Sequence, residues 1–312
     1  MKLRIGTRGS ALARAQAADV ARRLQSFGHE TEIVVISTAG DRSTHRAFAD
    51  VGMFGIFVRE IEAALLDGRV DVAVHSYKDL PSFSPIELFV AAVPERIDAA
   101  DLLMARPEWV DETRELIPLK PGARVGTSAA RRQALLRSLR PDLEVGLLRG
   151  NVPTRIDALA KGRFDAIVLA AAGVSRLVRA SASGVRVVPA NVVSTRLDPA
   201  IFVPAPAQGA IAVQVRRDAA PVIDAVKAID DPRTARALRA ERELLALAEG
   251  GCTLPFGAWC EVFDGDSLTL HAVLGRDDGT VAHVAHVALN GDDPEALADA
   301  AWRGLAASAS VA

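Results

Sequence analysis

A lysine and an aspartate stand side by side, as Lys78-Asp79, shortly after the apolar run Val70–His75, which predicts a buried strand. A carboxyl that is partly buried beside a cation can donate or accept a proton or stabilise a positive charge. Asp79 is therefore a candidate catalytic residue. The alternative is a surface ion pair in the turn before Pro81. His75 is more typical of a hydrogen-bonded core residue that closes the strand than of a catalyst.

Arginine and hydroxyl side chains recur where predicted strands run into predicted helices. Anions bind at helix N-termini, and in open α/β sheets ligands bind outside the carboxyl ends of the strands, where these junctions lie. Each arginine alone could be a solvated side chain beside an ordinary cap. The set together favours a ligand with several carboxylates or phosphates. Its members are Arg8, Ser10, Thr127, Ser128, Arg131, Arg132, Arg149, Arg155 and Arg176.

Cys252 follows Gly250-Gly251, which lets the backbone approach a ligand closely and exposes the side chain. A thiolate is a strong nucleophile near neutral pH, so Cys252 is a candidate for covalent chemistry, with a small buried apolar residue as the alternative. Cys260 lies in an apolar run and is interpreted as structural. These two cysteines fit neither a disulfide framework nor a zinc site, so no metal is expected and the reducing cytoplasm is the predicted compartment.

Strands and helices alternate along most of the chain. Ser10 is a predicted N-cap, as is either Thr127 or Ser128. The predicted strands are 3–6, 31–37, 70–75, 88–93, 124–126, 144–148, 166–169 and 208–216, and the predicted helices are 11–24, 57–66, 130–140 and 153–161. After residue 219 we expect helices up to residue 249, short strands and a final helix.

Two local signatures occur twice: Gly6-Thr7-Arg8 matches Gly126-Thr127-Ser128, and Gly68–Val74 matches Gly162–Val168. Alternating strands and helices imply mostly parallel sheets with right-handed crossovers. The predicted fold class is α/β, with two similar open, mostly parallel-sheet lobes and a cleft between them, as in a solute-binding protein, plus a small α+β C-terminal domain. The predicted domains are 1–98 with 207–218, then 99–206, then 219–312.

The formal net charge is −2, so no global field attracts nucleic acid or anionic lipid. Aromatic residues that could stack on bases are scarce, with 3 Trp and 1 Tyr. No uninterrupted apolar run reaches membrane-spanning length. We therefore expect neither nucleic acid nor a membrane as a partner. A monomer is predicted because no long apolar surface helix is evident.

Segments along most of the chain resemble, in order, the porphobilinogen deaminase family, also called hydroxymethylbilane synthase. Each is modestly specific, whereas their order is highly specific. They are Ile5–Ala13, Phe57–Glu62, Val74–Pro81, Val125–Gln133, Leu148–Arg155, Pro206–Ala210 and Glu249–Cys252. Two departures stand out: Asp50–Ile56 has no lysine where the family usually has them, and Ala129 stands where a second serine is common.

The resemblance implies a transferase of haem biosynthesis. Such an enzyme adds four porphobilinogen units to a dipyrromethane cofactor and releases a linear tetrapyrrole and ammonia. It implies a thioether from Cys252 to that cofactor and a catalytic carboxylate at Asp79. The residues implied to bind the cofactor are Cys252, Lys78, Thr127, Ser128, Arg131 and Arg132, and those implied to bind substrate are Arg8, Ser10, Phe57, Arg149, Arg155, Arg176 and Gln208. The acetate and propionate groups of the pyrroles agree with the arginine set.

Other functions remain open from the sequence. A non-catalytic two-lobed protein would have the same lobes and anion cleft. A paralogue that binds tetrapyrrole without turnover is suggested by the lysine-free segment Asp50–Ile56. A nucleic-acid binder is the weakest alternative because of the charge. Replacement of Asp79 by alanine separates an enzyme from the first two, since only an enzyme loses turnover.

Overall fold

The computed structural model describes residues 1–36, 53–181, 186–248, 255–277 and 282–311, without the side chains of 53–57, 276–277, 282–283 and 309–311. The described strands are β1 (Lys2–Arg8), β2 (Glu30–Ile36), β3 (Val72–Ser76), β4 (Leu88–Ala92), β5 (Asp101–Ala105), β6 (Arg124–Gly126), β7 (Glu144–Gly146), β8 (Ala166–Ala170), β9 (Val193–Arg196), β10 (Ile211–Arg216), β11 (Phe256–Val262), β12 (Leu268–Asp277) and β13 (Ala282–Gly291). The described helices are α1 (Ala11–Ser26), α2 (Met53–Leu66), α3 (Ala130–Leu139), α4 (Val152–Ala160), α5 (Ala171–Ala180), α6 (Ala220–Lys227), α7 (Pro232–Leu247) and α8 (Pro294–Val311).

The chain divides into two compact units. Unit 1 contains Met1–Ile97 with Gly209–Arg236, and unit 2 contains Asp98–Gln208 with Ala237–Ala312. The predicted third domain, 219–312, thus contributes to both units. The division into three domains stays a prediction.

Unit 1 contains a five-stranded sheet in the order β2-β1-β3-β10-β4. Strands β1, β2 and β3 pair in parallel, and β10 pairs antiparallel with both β3 and β4, so four strands share one direction. The apolar side of α1 packs on this sheet, where Leu3, Ile5 and Leu24 are fully buried. Burial of these aliphatic side chains is the main force that holds the helix on the sheet.

Unit 2 repeats this plan in the order β7-β6-β8-β5-β9, with β5 as the antiparallel strand. The predicted α/β class with mostly parallel sheets is confirmed. Unit 2 also holds the antiparallel sheet β11-β12-β13, which packs with α7 and α8 around a separate apolar core. This small sheet and its helices confirm the predicted α+β C-terminal part.

The repeated signature is a structural clasp. Asp71 accepts hydrogen bonds from the Arg4 backbone N–H at 2.8 Å and from the Arg4 guanidinium at 2.7 Å. In unit 2, Asp165 accepts from the Arg124 backbone N–H at 2.9 Å and from its guanidinium at 3.1 Å. Each aspartate therefore joins the start of one strand to the turn that precedes its parallel neighbour.

Two strands of the second sheet were not predicted. β5 (DLLMA) lacks β-branched residues, and β9 (VSTR) has only four residues, so neither carries a strong strand pattern. One predicted cap is also wrong: α3 begins after Ala129, which provides no side-chain cap. The Thr127 hydroxyl instead accepts a hydrogen bond from the Ala129 N–H at 3.3 Å. The Ser128 hydroxyl accepts one from Arg155 at 3.1 Å.

Candidate active site

A cavity of about 180 Å³ opens in unit 1 at the carboxyl ends of β1 and β3. Helices α1 and α2 supply apolar walls, and the strand ends supply polar groups. The lining residues are Arg8, Ser10, Leu12, Ala13, Gln16, Val58, Ile61, Val74, His75, Ser76 and Asp79. Three residues predicted from the sequence, Arg8, Ser10 and Asp79, therefore lie around one cavity.

Local structure explains this placement. β1 and β3 pair in parallel through Ile5–Val72 and Gly6–Ala73, so Arg8 and Ser76 leave the sheet at the same edge. The Ser10 hydroxyl accepts a hydrogen bond from the Ala13 N–H at 3.2 Å, which confirms it as the N-cap of α1. Because a capping serine must lie at the helix start, the cap also places Ser10 at the cavity.

Asp79 lies in the 3₁₀ turn Tyr77–Asp79 that directly follows β3. Burial raises the pKa of its carboxyl, while the charges of Lys78 and Arg8 and a hydrogen bond from Ser76 act in the opposite direction. An acid whose burial opposes ionisation exchanges its proton closer to neutral pH than an exposed aspartate does. The arrangement suits proton transfer and the stabilisation of a transient cation beside it.

Gln16 is a site residue that sequence reasoning missed. It is buried on α1 with 3% of its surface exposed, and its Nε2 donates to the Ser76 Oγ at 2.8 Å. Its only sequence signal is a glutamine on an otherwise apolar helix face. The partner lies 60 positions away, so the pair could not be inferred from spacing.

His75 is confirmed as a hydrogen-bonded core residue. Its Nε2 lies 3.2 Å from the Gln214 Oε1. Since the Gln214 amide group donates to Glu62 at 2.9 Å, its carbonyl must accept, and His75 carries its proton on Nε2. Burial lowers the pKa of His75 to about 4. The ring is therefore neutral at physiological pH.

In unit 2, two predicted cofactor residues pair with a buried acid that was not predicted. Asp101 is fully buried, and its carboxylate accepts from Arg131 at 2.8 Å and from Arg132 at 2.7 Å. The Gln208 amide, itself fully buried, donates to the same carboxylate at 2.7 Å. The neighbouring charges hold the pKa of Asp101 far below its usual range against the effect of burial.

Further predicted residues lie at the same edge of the second sheet. Arg155 donates to the Gly150 carbonyl at 2.7 Å and to the Ser128 hydroxyl at 3.1 Å. Burial and the positive charge of Arg132 lower the pKa of Arg155, because two cations lie close together here. Thr127 is fully buried. Arg149 is exposed and Arg176 half-buried.

Most of the chain matches one known protein family. The porphobilinogen deaminase dipyrromethane-cofactor-binding domain matches residues 3–224, and the porphobilinogen deaminase C-terminal domain matches residues 235–306. The chain belongs to the porphobilinogen deaminase family. The porphobilinogen deaminase of Syntrophobacter fumaroxidans is 42% identical over 89% of this chain and 85% of that protein. That of Mycolicibacterium gilvum is 43% identical over 89% of this chain and 86% of that protein.

Among solved structures, the VFT2 domain of Bordetella pertussis BvgS aligns with a TM-score of 0.40 and 18% identity, over 73% of this chain and 85% of that one. This likeness is too low to add to the family assignment. Membership of the porphobilinogen deaminase family confirms the resemblance, the transferase class and the dipyrromethane cofactor domain.

The described residues fit a dipyrromethane. Its carboxylates need cations, and three guanidinium groups, of Arg131, Arg132 and Arg155, stand against one carboxylate, Asp101, at the edge of the second sheet. In unit 1, an apolar-walled cavity with Arg8 and Asp79 suits a pyrrole ring that carries acids.

Cys252 and the segment Asp50–Gly52 lie outside the described residues, as does the side chain of Phe57. Cys260 is buried in β11, as expected for a structural cysteine. Within the described ranges no His, Cys, Asp and Glu cluster could hold a metal ion. In the same part of the chain, no helix is both long and apolar enough to cross a membrane.

Proposed function

We propose that this chain catalyses the porphobilinogen deaminase reaction, with Asp79 as the catalytic residue. The observation that carries the proposal is the Asp79 carboxyl in the unit 1 cavity, with its pKa raised by burial and with Arg8 and Lys78 beside it. Family membership supplies the substrate, porphobilinogen, and the product, a linear tetrapyrrole.

At each addition porphobilinogen loses its amino group as ammonia, which leaves a positive charge on the pyrrole. A carbon–carbon bond forms to the end of the growing chain, and the attacked ring carbon loses its proton. A bound dipyrromethane supplies the pyrrole end at which the chain begins. Asp79 stabilises the positive charge and accepts the proton, while the cavity walls from α1 and α2 exclude water.

The cationic side chains hold the acids of substrate and cofactor. We assign Lys78, Thr127, Ser128, Arg131 and Arg132 to the cofactor, which Cys252 binds through a thioether. We assign Arg8, Ser10, Phe57, Arg149, Arg155, Arg176 and Gln208 to substrate or the lengthening chain. Charge-assisted, bidentate contacts make arginine suited to this role. The amide of Gln208 is fully buried and donates to the Asp101 carboxylate, so its effect on the substrate is indirect, through Asp101.

Intact mass measured on the purified protein, with peptide mapping around Cys252, tests the covalent link. Cys260→Ala is the matched control, because Cys260 is buried in β11. We expect wild type and Cys260→Ala to carry a dipyrrole on Cys252 and Cys252→Ala to carry none. Wild-type protein that stays unmodified after incubation with porphobilinogen contradicts the proposal.

A tetrapyrrole-binding paralogue without turnover is the second candidate, favoured by the lysine-free segment Asp50–Ile56. Product formation from porphobilinogen by wild type, and its loss in Asp79→Ala, excludes that candidate.

The proposal also includes a monomer that acts in the cytoplasm without nucleic acid. Light scattering at several protein concentrations tests the monomer, and a mass that grows with concentration contradicts it.

A further inference from the structure

Three side chains around the cavity form a hydrogen-bonded row from α1 to the turn after β3. The Gln16 Nε2 donates to the Ser76 Oγ at 2.8 Å, and the Gln16 Oε1 lies 3.1 Å from the same oxygen. Ser76 directly precedes the turn Tyr77–Asp79, and a hydrogen bond from Ser76 to the Asp79 carboxyl opposes the rise of its pKa. All three residues line the cavity. A buried amide is thus linked through one hydroxyl to the proposed catalytic carboxyl.

The Ser76 hydroxyl has one proton and two acceptors to choose between, the Asp79 carboxylate and the Gln16 carbonyl. An ionised acceptor binds a proton donor about twice as strongly as a neutral one, so the hydroxyl turns to Asp79 when Asp79 is charged. A protonated Asp79 becomes a donor to the Ser76 oxygen. The hydroxyl proton then turns to the Gln16 carbonyl, and every group remains paired.

We propose that Gln16 and Ser76 are positioning residues for Asp79. The Ser76 hydroxyl, which is hydrogen-bonded to the Gln16 amide, reorients each time Asp79 gains or loses its proton. The row keeps both forms of the carboxyl hydrogen-bonded in a site where an unpaired polar group is costly. The inference rests on the proposed function, in which Asp79 accepts a proton at each addition. Gln16 acts on Asp79 only through Ser76.

The other groups that face Asp79 define what a test must separate. Arg8 at the end of β1 and Lys78 in the turn are cations, and His75 closes β3. α1 and α2 contribute apolar walls through Leu12, Val58 and Ile61. Because the pKa of His75 is lowered to about 4, its titration can overlap that of a carboxyl. An activity profile alone therefore does not isolate Asp79.

Infrared titration of the protonated carboxyl band, as a difference against Asp79→Asn, isolates Asp79 because imidazole gives no such band. It is measured on purified protein without substrate. We expect Ser76→Ala to move the Asp79 titration upward by about one pH unit, since a hydrogen bond that favours the charged form is lost. Ser76→Thr keeps the hydroxyl and should restore the wild-type curve. An unmoved curve in Ser76→Ala overturns the proposal.

A double-mutant cycle tests whether Gln16 acts through Ser76. We expect Gln16→Leu alone to move the Asp79 titration by less than Ser76→Ala does, and Gln16→Leu with Ser76→Ala to match Ser76→Ala alone. Additive shifts overturn this part. Gln25→Leu is the matched control, because Gln25 lies on the same helix and donates to an exposed hydroxyl, that of Thr31, at 2.7 Å. It should leave the titration unchanged.

Turnover of porphobilinogen, followed in parallel, separates this inference from the proposed function. If Ser76→Ala shifts the Asp79 titration but wild-type protein makes no product, the inference about the hydrogen-bonded row is supported and the proposed function is contradicted. Product formation with an Asp79 titration that ignores Ser76 upholds the function and refutes the row. With both upheld, the acid limb of kcat/KM in Ser76→Ala follows the shifted titration, and KM changes less than kcat.

Discussion

At the residue scale, the Asp79 carboxyl lies where burial disfavours its charged form. Burial raises the pKa of its carboxyl despite Lys78, Arg8 and Ser76. A group whose folded pKa lies above its unfolded value loses its contribution to stability as the pH rises through the folded pKa. The wild-type protein therefore gives up stability near neutral pH to keep an ionisable carboxyl at the site.

Asp79→Asn should lower turnover about a hundredfold or more, since proton transfer is lost. It should also raise Tm at pH 7 but not in acid, because the uncharged amide avoids the cost of ionisation. Thermal melts across pH measure this. Asp218→Asn is the control, as Asp218 is 74% exposed in its side chain and pairs with Arg216. A lower Tm for Asp79→Asn at pH 7 would show that the pairing with Arg8 and Lys78 outweighs burial.

Asp101→Asn should be much more damaging to the fold. It leaves Arg131 and Arg132 buried without their carboxylate, which costs about 3–5 kcal/mol of unfolding free energy. The folded pKa of Asp101 is depressed, so its stabilisation is present above the unfolded pKa and is lost as the pH falls. Urea denaturation at pH 7 measures the loss. A cost below about 1 kcal/mol would mean that the arginines find other partners.

Single residues also mark how far the sequence can be read. Arg8, Ser10 and Asp79 were predicted because each follows a strand, and parallel strands end at one edge. Gln16 and Asp101 were missed because their roles depend on partners far along the chain, Ser76 for one and the two arginines for the other. Neither carries a local pattern.

At the scale of elements, Ser10 joins a helix to the site. Ser10→Ala should cost about 1 kcal/mol by removing the cap of α1. Ser10→Asp keeps a capping oxygen, so its stability should stay near that of wild type. Its added negative charge in the cavity should raise KM for an anionic substrate. Denaturation and steady-state kinetics on both variants separate the two roles.

If Ser10→Asp loses as much stability as Ser10→Ala, the Ser10 oxygen is not the effective cap. If its KM is unchanged, Ser10 does not face the acids of the substrate. Most helices were predicted from the sequence because apolar positions repeat along them, but helix α5 (Ala171–Ala180) was not predicted. Strands β5 and β9 escaped, since both gain their stability from neighbours in the sheet, β8 and β5, rather than from their own residues.

At the scale of the whole molecule, the aspartate clasp appears once in each unit. Asp165 is 2% exposed and Asp71 23% exposed in their side chains. Asp165→Asn should therefore cost more than Asp71→Asn, about 1–3 kcal/mol for the first. The pKa of both carboxyls is lowered, so each cost should shrink as the solution is acidified. Urea denaturation across pH checks the order.

The two changes should add, because the clasps lie in separate units and share no partner. A double variant that loses clearly more or less stability than the two single losses together would contradict this independence.

The repeat itself was visible in the sequence, but its structural role was not. Only the backbone geometry shows that the aspartate binds both the N–H and the side chain of one arginine.

Each five-stranded sheet contains one strand that runs antiparallel to the other four, and this strand comes at a different point along the chain in the two sheets. It is the last strand of the first sheet, β10, and the first strand of the second, β5. On the ribosome, all five strands of the second sheet therefore emerge before the strand that completes the first. Until residues 211–216 appear, β3 and β4 each expose an unpaired edge to the cell's chaperones and to other nascent chains. The unit that is synthesised first is in this sense the one whose sheet is finished last.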